Sequence, residues 1–200
     1  MRIRFLTFAL ALTALGAFAA EPVKPRVAFT TSLGSFTVEL EPEAAPQTVA
    51  NFLGNVRSGH YQGTTFHRVI ATFMVQGGGM TVKGQEKPVK ATVQNEAKLA
   101  SEKGLKNVRG SLAMARTNEP HSARAQFFVN VVDNAFLDYP GRDGWGYCVF
   151  GKVVEGMETV DAIKNVQTGP GDKPLKPVVI TAAVVVGEKL PAKKGKPRKK

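Results

Sequence analysis

The sequence is poor in cysteine and histidine, the residues that most often build disulfides and metal sites. Its only cysteine, Cys148, cannot form an intrachain disulfide, and its apolar surroundings, YCVFGKVV, predict a buried side chain rather than a reactive thiol. The three histidines, His60, His67 and His121, are not spaced as a helical metal-binding pair and have no cysteine beside them. We therefore expect a fold stabilised by its core, with no metal and no cofactor.

The sequence also lacks the signatures of two common enzyme classes. After the glycine run 77–79, Gln85 stands where a phosphate-binding loop needs its lysine, so this run predicts a turn or bulge at the end of a strand. No G-x-S-x-G sequence surrounds Ser58, Ser111 or Ser122, which argues against a serine hydrolase. Nothing in the sequence points to covalent or general acid–base catalysis.

Long apolar runs are absent after residue 20. Before it, two arginines precede an apolar run from Phe5 to about Leu15, and small residues follow up to Ala19. This order is typical of a secretory signal peptide over residues 1–19, cleaved after Ala19. The alternative, a retained membrane anchor, is disfavoured because the run is shorter than the ~20 residues of a spanning helix. We therefore expect a periplasmic or secreted protein.

Acidic residues are fewer than basic residues in this chain of 200 residues. It has 27 lysines and arginines against 16 aspartates and glutamates, which gives a formal net charge of +11. Two of these basic residues are among the first four positions and seven are among the last twelve, so 18 of the 27 lie elsewhere. Residues 187–200 predict a basic disordered tail, which serves solubility alone or contacts an anionic surface weakly. The near-neutral remainder gives no support for nucleic-acid binding.

Residues 27–186 show no long linker, internal repeat or low-complexity segment and predict one domain. Two segments have helical spacing of apolar residues: one of about twelve residues from Pro46 to before Gly59, and Met157–Val166. β-prone runs predict eight strands, the first two forming a hairpin. These runs are Val27–Thr31, Ser35–Leu40, Thr65–Ile70, Phe73–Gln76, Ser111–Ala115, Gln126–Val132, Tyr147–Val153 and Val178–Val186. The pattern indicates a mainly β fold with an antiparallel sheet and leaves barrel and sandwich open.

One stretch, FHRVIATFMVQGGG, gathers aromatic, sulfur and amide side chains around a single arginine. Side chains alternate between the two faces of a strand, so Phe73 shares a face with Val75, whereas Met74 and Gln76 lie on the other face. This alternation alone does not bring the residues together in one site. Two further blocks follow in order, GSLAMAR with QFFVN and then FLD with VFGKVVEGM. Together the three blocks resemble the cyclophilin-type peptidyl-prolyl cis/trans isomerases over residues 27–186. With the N-terminal signal, the chain is most similar to the exported bacterial branch of that family.

This resemblance implies a closed eight-stranded antiparallel β-barrel capped by two α-helices, with the substrate in a groove on the outer face. It implies that the catalytic residues are Arg68, Phe73 and Gln76, with Arg68 as the family's catalytic arginine. The implied substrate-binding residues are Met74, Ala115, Arg116, Gln126, Phe128, Phe136, Leu137 and Tyr147. Among all of these, the proline pocket comprises Phe73, Met74, Phe128 and Leu137. The arginine and the substrate are oriented by Gln76 and Gln126, and the peptide backbone is bordered by Ala115 and Arg116.

Three of these positions depart from the best-known eukaryotic members of the family. Phe136, Arg116 and Tyr147 stand where many members have tryptophan, asparagine and histidine. Because the tryptophan indole N–H helps to hold the inhibitor cyclosporin in the family, we expect weak cyclosporin binding with catalysis retained.

The function that the resemblance implies is rotation of Xaa-Pro bonds in proline-containing unfolded or flexible exported proteins, which assists their folding. We expect a monomer. The alternative is a peptide-binding holdase that uses the same groove without relevant turnover.

Overall fold

The computed structural model describes residues 23–89 and 91–188. The expected signal peptide and all but two residues of the expected tail lie outside the described residues. Three helices occur in the described part, α1 (Pro46–Arg57), α2 (Ala97–Glu102) and α3 (Met157–Lys164). Its ten strands are β1 (Arg26–Thr31), β2 (Gly34–Leu40), β3 (Thr64–Ile70), β4 (Met74–Thr81), β5 (Ser111–Met114), β6 (Phe127–Asn130), β7 (Val149–Glu155), β8 (Thr168–Gly169), β9 (Lys173–Pro174) and β10 (Val178–Val185). None of the described helices is long and apolar enough to cross a membrane.

Eight of the strands form a closed antiparallel barrel, which confirms the predicted fold and decides between barrel and sandwich. The strand order is β1-β10-β3-β4-β6-β5-β7-β2, and the barrel closes because β1 pairs with both β10 and β2. The remaining two strands, β8 and β9, pair with each other as a short hairpin connected by the 3-10 turn Pro170–Asp172. This hairpin packs beside β3.

Aromatic rings fill the barrel interior. Phe29 lies among them, with its ring centroid 5.0 Å from that of Phe36 and 5.4 Å from that of Phe127. The fully buried Phe52 of α1 contacts the same group, 5.8 Å from Phe127. Full burial of one such side chain contributes about 1.5–3 kcal/mol. The apolar faces of α1 and α3 join this interior core, as predicted for the two helices.

The sequence did not predict α2, which has only six residues and buries only two alanines. The residue before this helix, Glu96, nevertheless has a clear structural role at the start of α1. Its carboxylate accepts hydrogen bonds from the backbone N–H of Gln47 at 3.1 Å and of Thr48 at 2.8 Å. It therefore caps α1, whose own N-cap residue, Ala45, has no side-chain acceptor.

The glycine run 77–79 forms a β-bulge, although β4 continues past it rather than ending there. Thr65 pairs with Met80 and Phe66 with Gly77, so two glycines of β4 lie between successive partners of β3. A Cβ on Gly79 would lie 2.3 Å from the Cγ atom of Gln126. The absence of a side chain in the bulge thus lets Gln126 pack directly over the strand.

Candidate active site

The register of four neighbouring strands creates one row of side chains on the outer face of the barrel. Arg68 of β3 pairs with Gln76 of β4, Gln76 with Phe128 of β6, and Phe128 with Ala113 of β5. Directly paired residues project from the same face of a sheet. Because Val129, the neighbour of Phe128, belongs to the interior core, this row faces outwards.

A second apolar cluster, which we call the outer cluster, surrounds this row and is separate from the interior core. Its buried members are Met74, Ala113, Phe128, Leu137 and Val149, and the half-buried side chains packed against them are Ile70, Phe73, Leu105, Ala115 and Tyr147. Six of the predicted site residues belong to it: Phe73, Met74, Ala115, Phe128, Leu137 and Tyr147. The structure therefore brings together the residues that the resemblance assigned to the proline pocket.

Aromatic contacts extend the outer cluster towards solvent. Phe136 is 47% exposed and stacks on Phe73 with ring centroids 5.6 Å apart. The guanidinium of Arg142 lies over the Phe136 ring, at 5.2 Å from the ring centroid. On the opposite wall, Tyr147 makes an edge contact with Phe128 at 5.8 Å. Phe136 thus offers exposed ring surface at the mouth of the cluster.

The two predicted glutamines contact each other beside the outer cluster. The Gln76 side-chain amide donates a hydrogen bond to the Gln126 carbonyl oxygen at 3.0 Å. Both side chains line a cavity of about 380 Å³, whose walls also include Ala115 and Arg116. The cavity adjoins the outer cluster through Ala115, which borders both.

Arg116 lines this cavity, and its guanidinium is occupied by contacts within the protein. The side chain is 3% exposed and donates to the Gly146 carbonyl oxygen from Nε at 3.2 Å and from Nη2 at 3.0 Å. It also lies over the Tyr147 ring, at 4.4 Å, and bonds to Asp143, which lowers the pKa of that carboxyl group to about 2. Arg116 therefore fixes the loop that carries Tyr147.

A buried network of asparagines supports the outer cluster, and the sequence did not predict it. The Asn134 side-chain amide donates to the Phe73 carbonyl oxygen at 2.9 Å and to the Asn130 side-chain oxygen at 2.7 Å. The fully buried Asn130 donates to Ser111 Oγ at 2.8 Å. The backbone N–H of Leu137 donates to the Asn134 carbonyl oxygen at 2.9 Å. The network thus ties two walls of the cluster to β5 and β6.

Arg68 is the one residue of the outer row with a permanent charge, and its side chain is 42% exposed. Its Nε donates to Asp172 Oδ2 at 3.3 Å, a contact that the sequence did not predict.

The histidine next to Arg68 in the sequence, His67, has its pKa lowered by burial. Burial raises the pKa of the Cys148 thiol to about 12, in agreement with the predicted inert side chain. The charged hydrogen-bond donor of the site is therefore an arginine beside an apolar surface.

No group of three or more metal-binding side chains occurs in residues 23–89 and 91–188. The arrangement consists of a closed barrel, an outward apolar cluster, a glutamine pair and an arginine. A sequence model described as "Cyclophilin type peptidyl-prolyl cis-trans isomerase/CLD" matches residues 26–185. The chain belongs to this cyclophilin family. As a cyclophilin, it is a peptidyl-prolyl cis-trans isomerase, an enzyme that interconverts the two isomers of Xaa-Pro bonds.

Several cyclophilins from other organisms resemble it over most of their length. It is 54% identical to peptidyl-prolyl cis-trans isomerase cyp18 of Streptomyces antibioticus over 167 residues, which cover 80% of this chain and 98% of that protein. It is 50% identical to peptidyl-prolyl cis-trans isomerase B of Escherichia coli K12 over 165 residues, which cover 80% and 98%. A Cryptosporidium parvum cyclophilin crystallised in the presence of the dipeptide Ala-Pro matches with a TM-score of 0.67 and 27% identity, over 82% of this chain and 99% of that one.

The sequence did not predict four residues beside the candidate site: Ala113, Val149, Asn134 and Asp172. Asn134 and Asp172 lie in loops, where a polar residue is the ordinary choice and gives no local signal. Ala113 and Val149 are apolar residues of strands, which alternation cannot assign to an inner or outer face without the register.

Proposed function

We propose that this cyclophilin isomerises Xaa-Pro bonds in exported proteins, with Arg68 as the catalytic group and the outer cluster as the proline pocket. The observation that carries the proposal is the register that places Arg68 beside Gln76 and Phe128 on one outward face. An apolar surface that accepts a proline ring lies two strands from a permanently charged donor. Neighbouring strands are about 4.8 Å apart, so a proline peptide bound on this surface is close enough to be reached by the Arg68 side chain from β3.

The role of Arg68 follows from the electronic structure of the amide. A planar Xaa-Pro bond resists rotation by about 18–20 kcal/mol because the nitrogen lone pair is delocalised into the carbonyl group. When the bond twists, the lone pair returns to nitrogen and can accept a hydrogen bond. A guanidinium near that nitrogen therefore binds the twisted state more strongly than the planar state, and only such differential binding lowers the barrier.

The outer cluster contributes the part of the effect that one hydrogen bond cannot supply. Shortening isomerisation from tens of seconds to milliseconds requires a factor of about 10⁴, or roughly 5.5 kcal/mol. A hydrogen bond to a charged group contributes about 1.5–3 kcal/mol. The planar amide is more dipolar than the twisted one, so exclusion of water by Phe128, Met74 and Leu137 penalises the planar state more.

Export is supported by the order of residues at the N-terminus, from two arginines through an apolar run to Ala19. The test is expression of the full chain in a bacterial host, followed by cell fractionation and N-terminal sequencing. We expect the protein in the periplasm or the medium, starting at Ala20. Recovery of the chain from the cytoplasm with residues 1–19 still attached would contradict a role in exported proteins.

A holdase that binds peptides in the same groove without relevant turnover is the second candidate. The apolar outer cluster and its exposed Phe136 would serve either function. The charge of Arg68 favours turnover, because a donor placed at the prolyl nitrogen finds no available lone pair while the amide is planar.

Phe136 predicts the response to cyclosporin. It occupies the position of the family's tryptophan, and a phenyl ring has no N–H to donate to the inhibitor. We expect weak inhibition in a proline isomerisation assay, and we expect Phe136→Trp to bind cyclosporin at least tenfold more tightly. Val108→Trp, at another exposed apolar position, is the control and should leave affinity unchanged. Nanomolar inhibition of the parent protein would refute the prediction.

The basic tail, residues 189–200 of which lie outside the described residues, is proposed to contact anionic surfaces weakly. It holds seven lysines and arginines, and salt weakens their attraction to an anionic surface by screening. We expect the full chain to sediment with anionic lipid vesicles at low salt, and a chain ending at Val186 to remain in solution. Neutral vesicles are the control. Equal behaviour of the two chains on anionic vesicles would show that the tail has no such role.

A further inference from the structure

Arg68 has a carboxylate partner that no strand of the barrel supplies. Asp172 lies in the 3-10 turn Pro170–Asp172, between the short strands β8 and β9. Its Oδ2 atom accepts a hydrogen bond from Arg68 Nε at 3.3 Å. The two side chains are 42% and 45% exposed, so the pair adds little to the stability of the fold.

The backbone of Asp172 is unusual. With φ of 59°, it is the only non-glycine residue with a positive φ in the described part of the chain. Aspartate and asparagine tolerate this left-handed conformation better than most residues, and glycine adopts it freely. Because the turn is held beside β3 by the hairpin, this conformation determines where the carboxylate lies relative to Arg68.

We propose that Asp172 is a positioning residue for Arg68, a role that rests on the proposed catalytic function of Arg68. An arginine side chain has four rotatable bonds, and a half-exposed arginine samples many rotamers unless something holds it. Asp172 engages Nε, and no hydrogen bond occupies Nη1 or Nη2 of Arg68 within the described residues. Those two groups stay available to the proline nitrogen while the side chain remains in one orientation.

Two substitutions separate the carboxylate from the conformation of the turn. Asp172→Asn keeps an oxygen acceptor at the same place and tolerates the positive φ. Asp172→Gly removes the acceptor and also tolerates the positive φ, so neither variant strains the backbone. For an Ala-Pro tetrapeptide, we expect Asp172→Gly to lower kcat about five- to tenfold with KM unchanged within twofold. We expect Asp172→Asn to keep at least half of the parental kcat.

A spectroscopic measurement reports on the contact itself. The Arg68 Nε–H signal in a ¹⁵N NMR spectrum is assigned by its loss in Arg68→Lys. Its exchange with water should be slowed in the parent protein and in Asp172→Asn, and fast in Asp172→Gly. The matched control is Glu188→Ala, which removes the carboxylate partner of another exposed arginine, Arg57. In that pair the Arg57 and Glu188 side chains are 54% and 43% exposed, and the substitution should change neither kcat nor the Arg68 signal.

Two results would overturn the positioning role: more than half of the parental kcat in Asp172→Gly, or an equal loss in Asp172→Asn and Asp172→Gly. The same experiment distinguishes this failure from failure of the proposed function. Arg68→Lys removes Nε and the planar guanidinium but keeps a positive charge, and it should lose most turnover. If Arg68→Lys retains parental turnover, the role of Arg68 itself is wrong, and the positioning role fails with it. If Arg68→Lys loses turnover while Asp172→Gly does not, only the role of Asp172 is wrong.

Discussion

Replacement of Arg68 by alanine is expected to lower kcat/KM for an Ala-Pro tetrapeptide by about 10- to 150-fold, which corresponds to about 1.5–3 kcal/mol of lost transition-state binding. The guanidinium interacts with a lone pair that is available only in the twisted amide, so its removal affects the transition state and not the bound planar peptide. Peptide affinity should therefore change by less than threefold. Protease-coupled isomerisation measures the turnover, and calorimetric titration measures the affinity.

Arg57→Ala provides the control for this experiment, because Arg57 is an exposed arginine of α1 that pairs with Glu188 rather than with the site. It should behave as the parent protein in both measurements. Turnover of Arg68→Ala within threefold of the parent would refute the catalytic role of Arg68. A loss of peptide affinity as large as the loss of turnover would indicate that Arg68 acts by uniform binding instead.

Replacement of Asn130 by alanine is expected to destabilise the fold strongly. Asn130 is fully buried, donates to Asn107 Oδ1 at 3.2 Å and to Ser111 Oγ at 2.8 Å, and accepts from Asn134. The variant removes three hydrogen bonds and leaves a cavity, so we expect a loss of about 2–4 kcal/mol in the free energy of unfolding. At about 2–4 °C per kcal/mol for a chain of this size, the Tm should fall by roughly 5–15 °C.

The same substitution should affect function through Phe73, because Asn134 joins Asn130 to the Phe73 carbonyl oxygen. We expect turnover to fall at temperatures where the variant remains folded by circular dichroism. Asn118→Ala is the control, since Asn118 is exposed in a loop and should leave the Tm unchanged. A Tm for Asn130→Ala within 2 °C of the parent would contradict the structural role of this network.

The barrel could be predicted from the sequence largely because its elements are locally marked. Pro46 begins α1 as predicted, and β-prone runs located eight strands close to their observed positions. The predicted ends were less accurate. Strand β4 runs on to Thr81 because its glycines form a bulge inside the strand. Helix α2 was missed because six residues with two buried alanines produce almost no periodicity.

The site could be predicted only through the resemblance, because its geometry depends on contacts between distant residues. Arg68 and Phe128 are 60 positions apart and become neighbours through β4, in a register that the bulge helps to set. Alternation assigns each residue to a face of its own strand and carries no information about the partner strand. Arg116 illustrates the same limit, because its partners Asp143 and Gly146 reach it only in the folded chain.

If the outer cluster and Arg68 form a catalytic groove and not a binding site alone, a bound proline peptide must isomerise faster than a free one. Two-dimensional exchange NMR on a saturating complex with an Ala-Pro peptide measures the cis/trans interconversion of the bound peptide directly. Free peptides interconvert in tens of seconds, so we expect the bound peptide to interconvert about 10⁴ times faster, within milliseconds. A peptide that binds in the groove but interconverts no faster than in free solution would contradict it.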